Sequence, residues 1–198
     1  MTKLTFLFAL LLCATLAGCN QPAAPQGGVP SDAVSAPPAA ESDPPATAPA
    51  DAQAVTLYIG TKAGGFAEYP ITCEGELTPE LLIQGIADLT GWDLTLAEPV
   101  ISGKGGMSVC LSSESALFTG PPDPQKDEFH MYDAEQLAET ILDSIQKTLQ
   151  KGFVLEPGDP DTLDIWYYAE GDQPLELPSL GLSWPIDQPY QWESAIIA

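Results

Sequence analysis

The chain has 198 residues, with six lysines, no arginine and 28 acidic residues, and a net charge of -22 at pH 7. That balance excludes nucleic-acid binding by phosphate neutralisation, and it leaves no basic patch for anionic lipid headgroups. Acidity of this kind fits a solvated surface that repels anionic polymers.

Residues 1–18 read as a leader. Lys3 precedes the apolar run Leu4 to Leu12, and small residues follow, the layout of a secretory signal. The run is shorter than the about 20 residues of a membrane-spanning helix. Leu16-Ala17-Gly18-Cys19 resembles the lipobox of bacterial lipoproteins. The resemblance implies cleavage before Cys19, a diacylglyceryl group on its sulfur, and a protein held on the extracytoplasmic face of the membrane. Two or more acyl chains supply that hold, at about 0.8 kcal/mol per buried methylene. Behind Cys19, residues 20–53 contain eight prolines and no aromatic residue. They cannot bury enough apolar surface to offset the cost of ordering, so residues 19–53 are expected to be a lipidated cysteine and a disordered Pro/Ala-rich linker. At about 3.1 Å per residue it reaches roughly 105 Å when fully extended.

The folded domain is expected over residues 54–198. Val55-Thr56-Leu57-Tyr58-Ile59 predicts a strand ended by Gly60, and Lys62 to Gly65 a turn. Phe66 to Thr72 predicts a partner strand, with Pro70 pointing to an edge position. Thr78-Pro79-Glu80 starts a helix: Thr78 caps, Pro79 suits the first turn and Glu80 favours the positive end of the dipole. Leu82, Ile83, Ile86, Ala87 and Leu89 repeat at helical spacing until Gly91. Asp93 to Ile101 alternates as a strand that Pro99 disturbs. Ser102 to Gly106 turns it, and Met107 to Leu111 returns as the second arm of a hairpin. Ser112 to Asp127 holds a small turn around Ser115 to Phe118 and then a Pro- and Asp-rich loop. Asp133 caps the longest helix, with Gln136 placed for a capping box. Its stripe is Leu137, Ile141, Leu142, Ile145 and Leu149, and Gly152 is expected to close it beyond Lys147 and Lys151. Leu163 to Tyr168 is a strand, Glu170 to Asp172 a turn, and Leu175 to Leu177 its return. The tail, with Trp184, Tyr190 and Trp192, is expected to pack as extended chain. The expectation is a two-layer α+β domain. Two helices cover a small mixed sheet with an α-β-β-α-β core, to which an N-terminal strand and a C-terminal hairpin are added.

Several constellations could carry chemistry, and each has a plainer reading. His130 is the only histidine and sits in an acidic loop. A catalytic triad would have to use it, yet no nucleophile lies in a Gly-x-Ser-x-Gly turn, so a surface histidine is expected. Asp159, Asp161 and Asp164 gather three carboxylates. Their spacing is not that of a calcium loop, and a turn around Gly158 and Pro160 suffices. Gly103-Lys104-Gly105-Gly106 joins two strands with no helix after it, so a hairpin turn is expected rather than a phosphate cradle. No catalytic residue, metal or cofactor is therefore expected. Trp166, Tyr167 and Tyr168 alternate across a strand, one face toward the core. Trp184, Tyr190 and Trp192 could stack on sugar rings, as in contact with peptidoglycan. Of four cysteines, Cys13 leaves with the leader and Cys19 takes lipid. Cys73 and Cys110 remain. An even remainder outside the cytoplasm allows one disulfide. Strand parity argues instead for two unpaired thiols. It puts Cys73 with Tyr69 and Ile71, and Cys110 on the face opposite Met107, Val109 and Leu111.

The element order and four stretches resemble the germane (GerMN) domain of sporulation and spore-germination lipoproteins. The stretches are Val55 to Ile59, Gly106-Met107-Ser108-Val109-Cys110-Leu111-Ser112, Ser144 to Leu149, and Ile165-Trp166-Tyr167-Tyr168-Ala169-Glu170-Gly171. The likeness covers most of residues 54–178. It implies a fold related to ring-building modules, used for protein contacts in the cell envelope, and brings no catalytic residues. Two departures stand out. Cys110 occupies a position often acidic in that family, and only one copy of the module is present where sporulation members can carry two. The expected function is that of a lipid-anchored, non-enzymatic envelope protein with protein partners, the alternative being a peptidoglycan- or solute-binding lipoprotein.

Overall fold

The computed structural model describes residues 52–103, 105–131, 133–154, 157–191 and 196–197. The leader, Cys19, linker residues 20–51 and Trp192 lie outside the described residues; Ala52 and Gln53, expected as the end of the linker, are already strand. The fold is a two-layer α+β arrangement.

Strands β1 (Ala52–Gly60) and β2 (Phe66–Glu74) form an antiparallel hairpin, both longer than the sequence pattern suggests. Leu57 and Ile59 of β1 enter the core. Along its other edge, β1 lies against the long helix. The Tyr58 N–H donates to Thr148 Oγ1 at 2.9 Å, and the Gly60 N–H to Ser144 Oγ at 2.9 Å. Thr148 Oγ1 also donates to the Tyr58 carbonyl at 3.3 Å. The opposed residues of an antiparallel pair either exchange both hydrogen bonds or turn both groups outward. Tyr58 faces Glu68 and Thr56 faces Pro70, so Phe66, Glu68, Pro70, Thr72 and Glu74 turn their backbone groups away from β1. Pro70 therefore costs the hairpin no hydrogen bond, and β2 is an edge strand as expected.

Helix α1 (Pro79–Thr90) begins as read: the Leu81 N–H donates to Thr78 Oγ1, and Gly91 closes the helix with φ 82°. Lys126 Nζ donates to the last carbonyls, those of Asp88 and Leu89, at 2.9 and 2.6 Å. The strand expected over Asp93 to Ile101 is shorter. Only β3 (Ile101–Gly103) forms, with an isolated bridge from Leu96 to Leu111. The cause is capture of its donors by side chains. Asp93 Oδ1 accepts from the N–H and hydroxyl of Thr95, the Val100 N–H donates to Glu80 Oε1, and Pro99 has no N–H. β3 pairs with β4 (Gly106–Cys110) as the expected hairpin.

A short helix α2 (Ala116–Thr119) and a 3-10 turn, Asp127–Phe129, lead to helix α3 (Ala134–Phe153). Asp133 Oδ1 caps α3 by accepting from the Gln136 N–H at 2.6 Å. Gly152 does not end it; Val154 does. Gly152 has a packing role instead, since a Cβ there would meet Leu82 Cδ1 of α1 at 2.7 Å. β5 (Asp164–Ala169) then runs parallel to β4, and β6 (Gln173–Leu177) returns antiparallel. The tail, read as extended chain, adds β7 (Leu182–Trp184) and β8 (Ile196–Ile197). The result is one six-stranded mixed sheet in the order β3-β4-β5-β6-β7-β8.

The core fills the space between the helices and one face of this sheet. Leu82, Ile83 and Ile86 of α1 and Leu137, Ile141, Leu142, Ile145 and Leu149 of α3 meet Val109, Ile165, Tyr167, Leu175 and Trp184. The buried Tyr167 hydroxyl donates to the Leu142 carbonyl at 2.7 Å, so its polar end is satisfied where it meets the helix. Tyr190 fastens the tail: its N–H donates to the Ile165 carbonyl at 2.6 Å, its hydroxyl to Asp143 Oδ1 at 2.9 Å, and its ring meets Tyr167 edge-on at 5.0 Å.

Candidate functional site

The β period of two sends Ile165 and Tyr167 into the core and Asp164, Trp166 and Tyr168 to the opposite face of β5. The pairing register extends this outer row across the sheet. Ile101 of β3 lies opposite Ser108 of β4, and Ser108 opposite Trp166. Gly103, Gly106 and Asp164 form the neighbouring row. None of the three helices covers these rows. They bound an open trench of about 420 Å³, lined by Ile101, Gly103, Gly106, Ser108, Trp166 and Ile186.

The trench is built on an absent side chain. A Cβ on Gly106 would lie 2.0 Å from Trp166 Cζ3 and 2.5 Å from the Asp164 carbonyl oxygen. The Trp166 ring thus rests directly across the Gly106 backbone, which fixes the indole as a platform. Ile101 is 58% exposed and Ile186 40% exposed. They are two of only four large hydrophobic side chains exposed to that degree among the described residues.

Carboxylates flank the trench. Beyond one end, Cys110 and Tyr168 are buried side by side on the outer row. The Tyr168 hydroxyl reaches Glu98 Oε2 at 3.5 Å, and the Ser113 N–H donates to Glu170 Oε1 at 3.4 Å. Burial, then the charges of Glu98, Glu170 and Asp172, push the Cys110 thiol up to about 11. Burial first, and Glu98 next, also raise the Tyr168 hydroxyl. Asp164 stands at the other end, exposed.

The residues singled out from the sequence do not converge. Cys73 and Cys110 are both buried free thiols, so the disulfide is not formed. Cys73 lies on the inner face of β2 and Cys110 on the outer face of β4, as parity indicates. Trp184 and Tyr190 are 3% and 2% exposed, so neither can stack on a sugar ring. Both rings were needed to hold the tail on the core. His130 is half-buried directly after the 3-10 turn. Asp159 Oδ1 accepts from the Asp161 N–H, and Asp161 pairs with Lys147 at 3.5 Å, so these carboxylates organise a turn. Among the described residues no three His, Cys, Asp or Glu side chains group to hold a metal ion. Gly103 and Gly106 close a hairpin with a strand, not a helix, behind it. The acidic loop that holds His130 is tied down between Gln125 and Met131. Gln125 exchanges hydrogen bonds with the Met131 backbone, and Phe129 and Met131 are buried.

The trench itself escaped the sequence reading. Its one available signal was the parity that separates Trp166 from Ile165 and Tyr167. Ile101 and Ile186 come from segments whose pairing the pattern does not resolve. No family model matches the chain, and no curated protein or solved structure matches it either.

Proposed function

We propose that this chain is a protein lipid-anchored to the extracytoplasmic face of the cell membrane, whose folded part is a non-enzymatic, GerMN-like module for contacts with envelope proteins. The observation that carries the interaction half is the open sheet face with the Ile101, Trp166 and Ile186 side chains gathered on it. Exposed apolar side chains gathered in one place, rather than scattered singly, mark a candidate contact surface. The anchoring half rests on Leu16-Ala17-Gly18-Cys19, and the Pro-rich stretch behind it would carry the module away from the bilayer. No membrane-spanning helix occurs among the described residues. The GerMN-like part of the reading rests on the four sequence stretches; the order from α1 to β5 is helix, two strands, a short helix, the long helix and a strand.

Metabolic labelling with an alkyne fatty acid tests the anchor. Wild type is expected to take label and to sediment with membranes, and Cys19→Ala to do neither. Label retained by Cys19→Ala, or an unlabelled wild type found free in the medium, refutes the anchored reading.

A further inference from the structure

We infer that the open sheet face docks a basic, amphipathic segment of a protein partner, with apolar side chains in the trench between Ile101, Trp166 and Ile186 and lysines or arginines on the flanking carboxylates. This rests on reading the domain as an interaction module and names what the module takes. The first support is geometric. An aromatic platform seated on the Gly106 backbone, with exposed aliphatic side chains lining the same trench, is the form in which apolar anchors dock. An extended segment would also bring alternate side chains down onto such a face.

The second support is charge complementarity. Glu98, Glu170 and Asp172 cluster at one end of the face, Asp164 stands at the other, and Glu176 points outward from β6. The described lysines all lie elsewhere. Lys62 is in the β1–β2 turn against α3, Lys126 is on the end of α1, and Lys147 and Lys151 are on α3; Lys104 lies outside the described residues. A face that is apolar at its centre and acidic around it favours cations at its rim and over the indole. A second copy of this chain would set like charge against like, so the face selects a different protein.

The test uses the purified full chain in nonionic micelles, with empty micelles as the blank. The probe is a fluorescent eight-residue peptide of alternating Lys and Leu, and its partner for comparison alternates Glu and Leu. Anisotropy is expected to show saturable binding of the Lys–Leu peptide alone. Ile101→Ser is expected to weaken it by about tenfold, the loss typical of an interface anchor. The triple variant Glu98→Gln, Glu170→Gln, Asp172→Asn is expected to weaken it and flatten its salt dependence. Glu135→Gln with Glu139→Gln, on α3, is expected to leave it unchanged. Ile101 is exposed, so its replacement does not strain the fold, and a thermal melt confirms this. Overturning results are equal binding by wild type and Ile101→Ser, a loss confined to the α3 variant, equal binding of the Glu–Leu peptide, or no binding. If the fatty-acid label is present and the peptide result is negative, the anchored module stands and only this docking chemistry falls.

Discussion

Thr148→Val replaces a wholly buried hydroxyl on α3 by a methyl group of nearly the same volume. In the native chain that hydroxyl accepts from the Tyr58 N–H at 2.9 Å and donates to the Tyr58 carbonyl at 3.3 Å. Valine leaves both backbone groups facing a helix that cannot answer them. Each unsatisfied buried group costs about 1–3 kcal/mol, and the longer contact stands at the lower end, so the loss should be about 2–4 kcal/mol. For a domain of this size that lowers Tm by roughly 6–12 °C. Thr148→Ser keeps the hydroxyl and loses one buried methyl, about 1 kcal/mol. Urea unfolding followed by circular dichroism measures both. Serine is expected to be the milder change although it removes more apolar surface. Should valine prove equal to serine, or lie within about 0.5 kcal/mol of wild type, the hydroxyls of α3 do not hold the β1 edge and the reasoning fails.

Gly106→Ala should cost at least about 2 kcal/mol, because the new Cβ meets the Asp164 carbonyl oxygen as well as the Trp166 ring; a shift in tryptophan emission together with a lowered urea midpoint would show it, and a wild-type midpoint would refute it. Lys126→Met removes the cation from the α1 carbonyls of Asp88 and Leu89 and should lose about 0.3–1 kcal/mol, less at high salt; a salt-independent loss would count against the charge. Burial pushes the Asp143 carboxyl above the usual range, against the pull of the Tyr190 hydroxyl, and burial with the neighbouring Asp143 and Glu135 charges raises Glu139 as well. A raised folded pKa contributes stability that is fully present below the unfolded value and lost as pH rises through the folded one. Wild type should therefore gain on Asp143→Asn as pH falls from about 8 to about 4, and melting curves that stay parallel across that range would exclude the effect.

Much of the architecture could be read from local chemistry. Thr78, Pro79 and Gly91 mark α1, and Asp133 marks the start of α3, because capping groups act on their own helix ends. Pro70 announced an edge, since a residue without N–H fits only where no partner asks for one. The readings that changed depended on contacts distant in sequence. Glu80 takes the Val100 N–H and shortens β3, which no window around Val100 reveals. Gly152 looked like a helix stop, yet its missing side chain admits Leu82 from another helix. Trp184 and Tyr190 looked available for stacking because their burial depends on the tail folding back over β5 and α3. The trench was hidden for the same reason: it joins β3, β4, β5 and the tail, four segments spread over more than eighty residues.

The proline at the centre of β2 has a consequence for crowding. A nine-residue flank with open donors would invite neighbouring chains to stitch together into a continuous ribbon. Pro70 removes a donor from the very side a neighbour would approach, and Glu68 and Glu74 set negative charge along the same margin. The hairpin is thereby kept private to its own molecule.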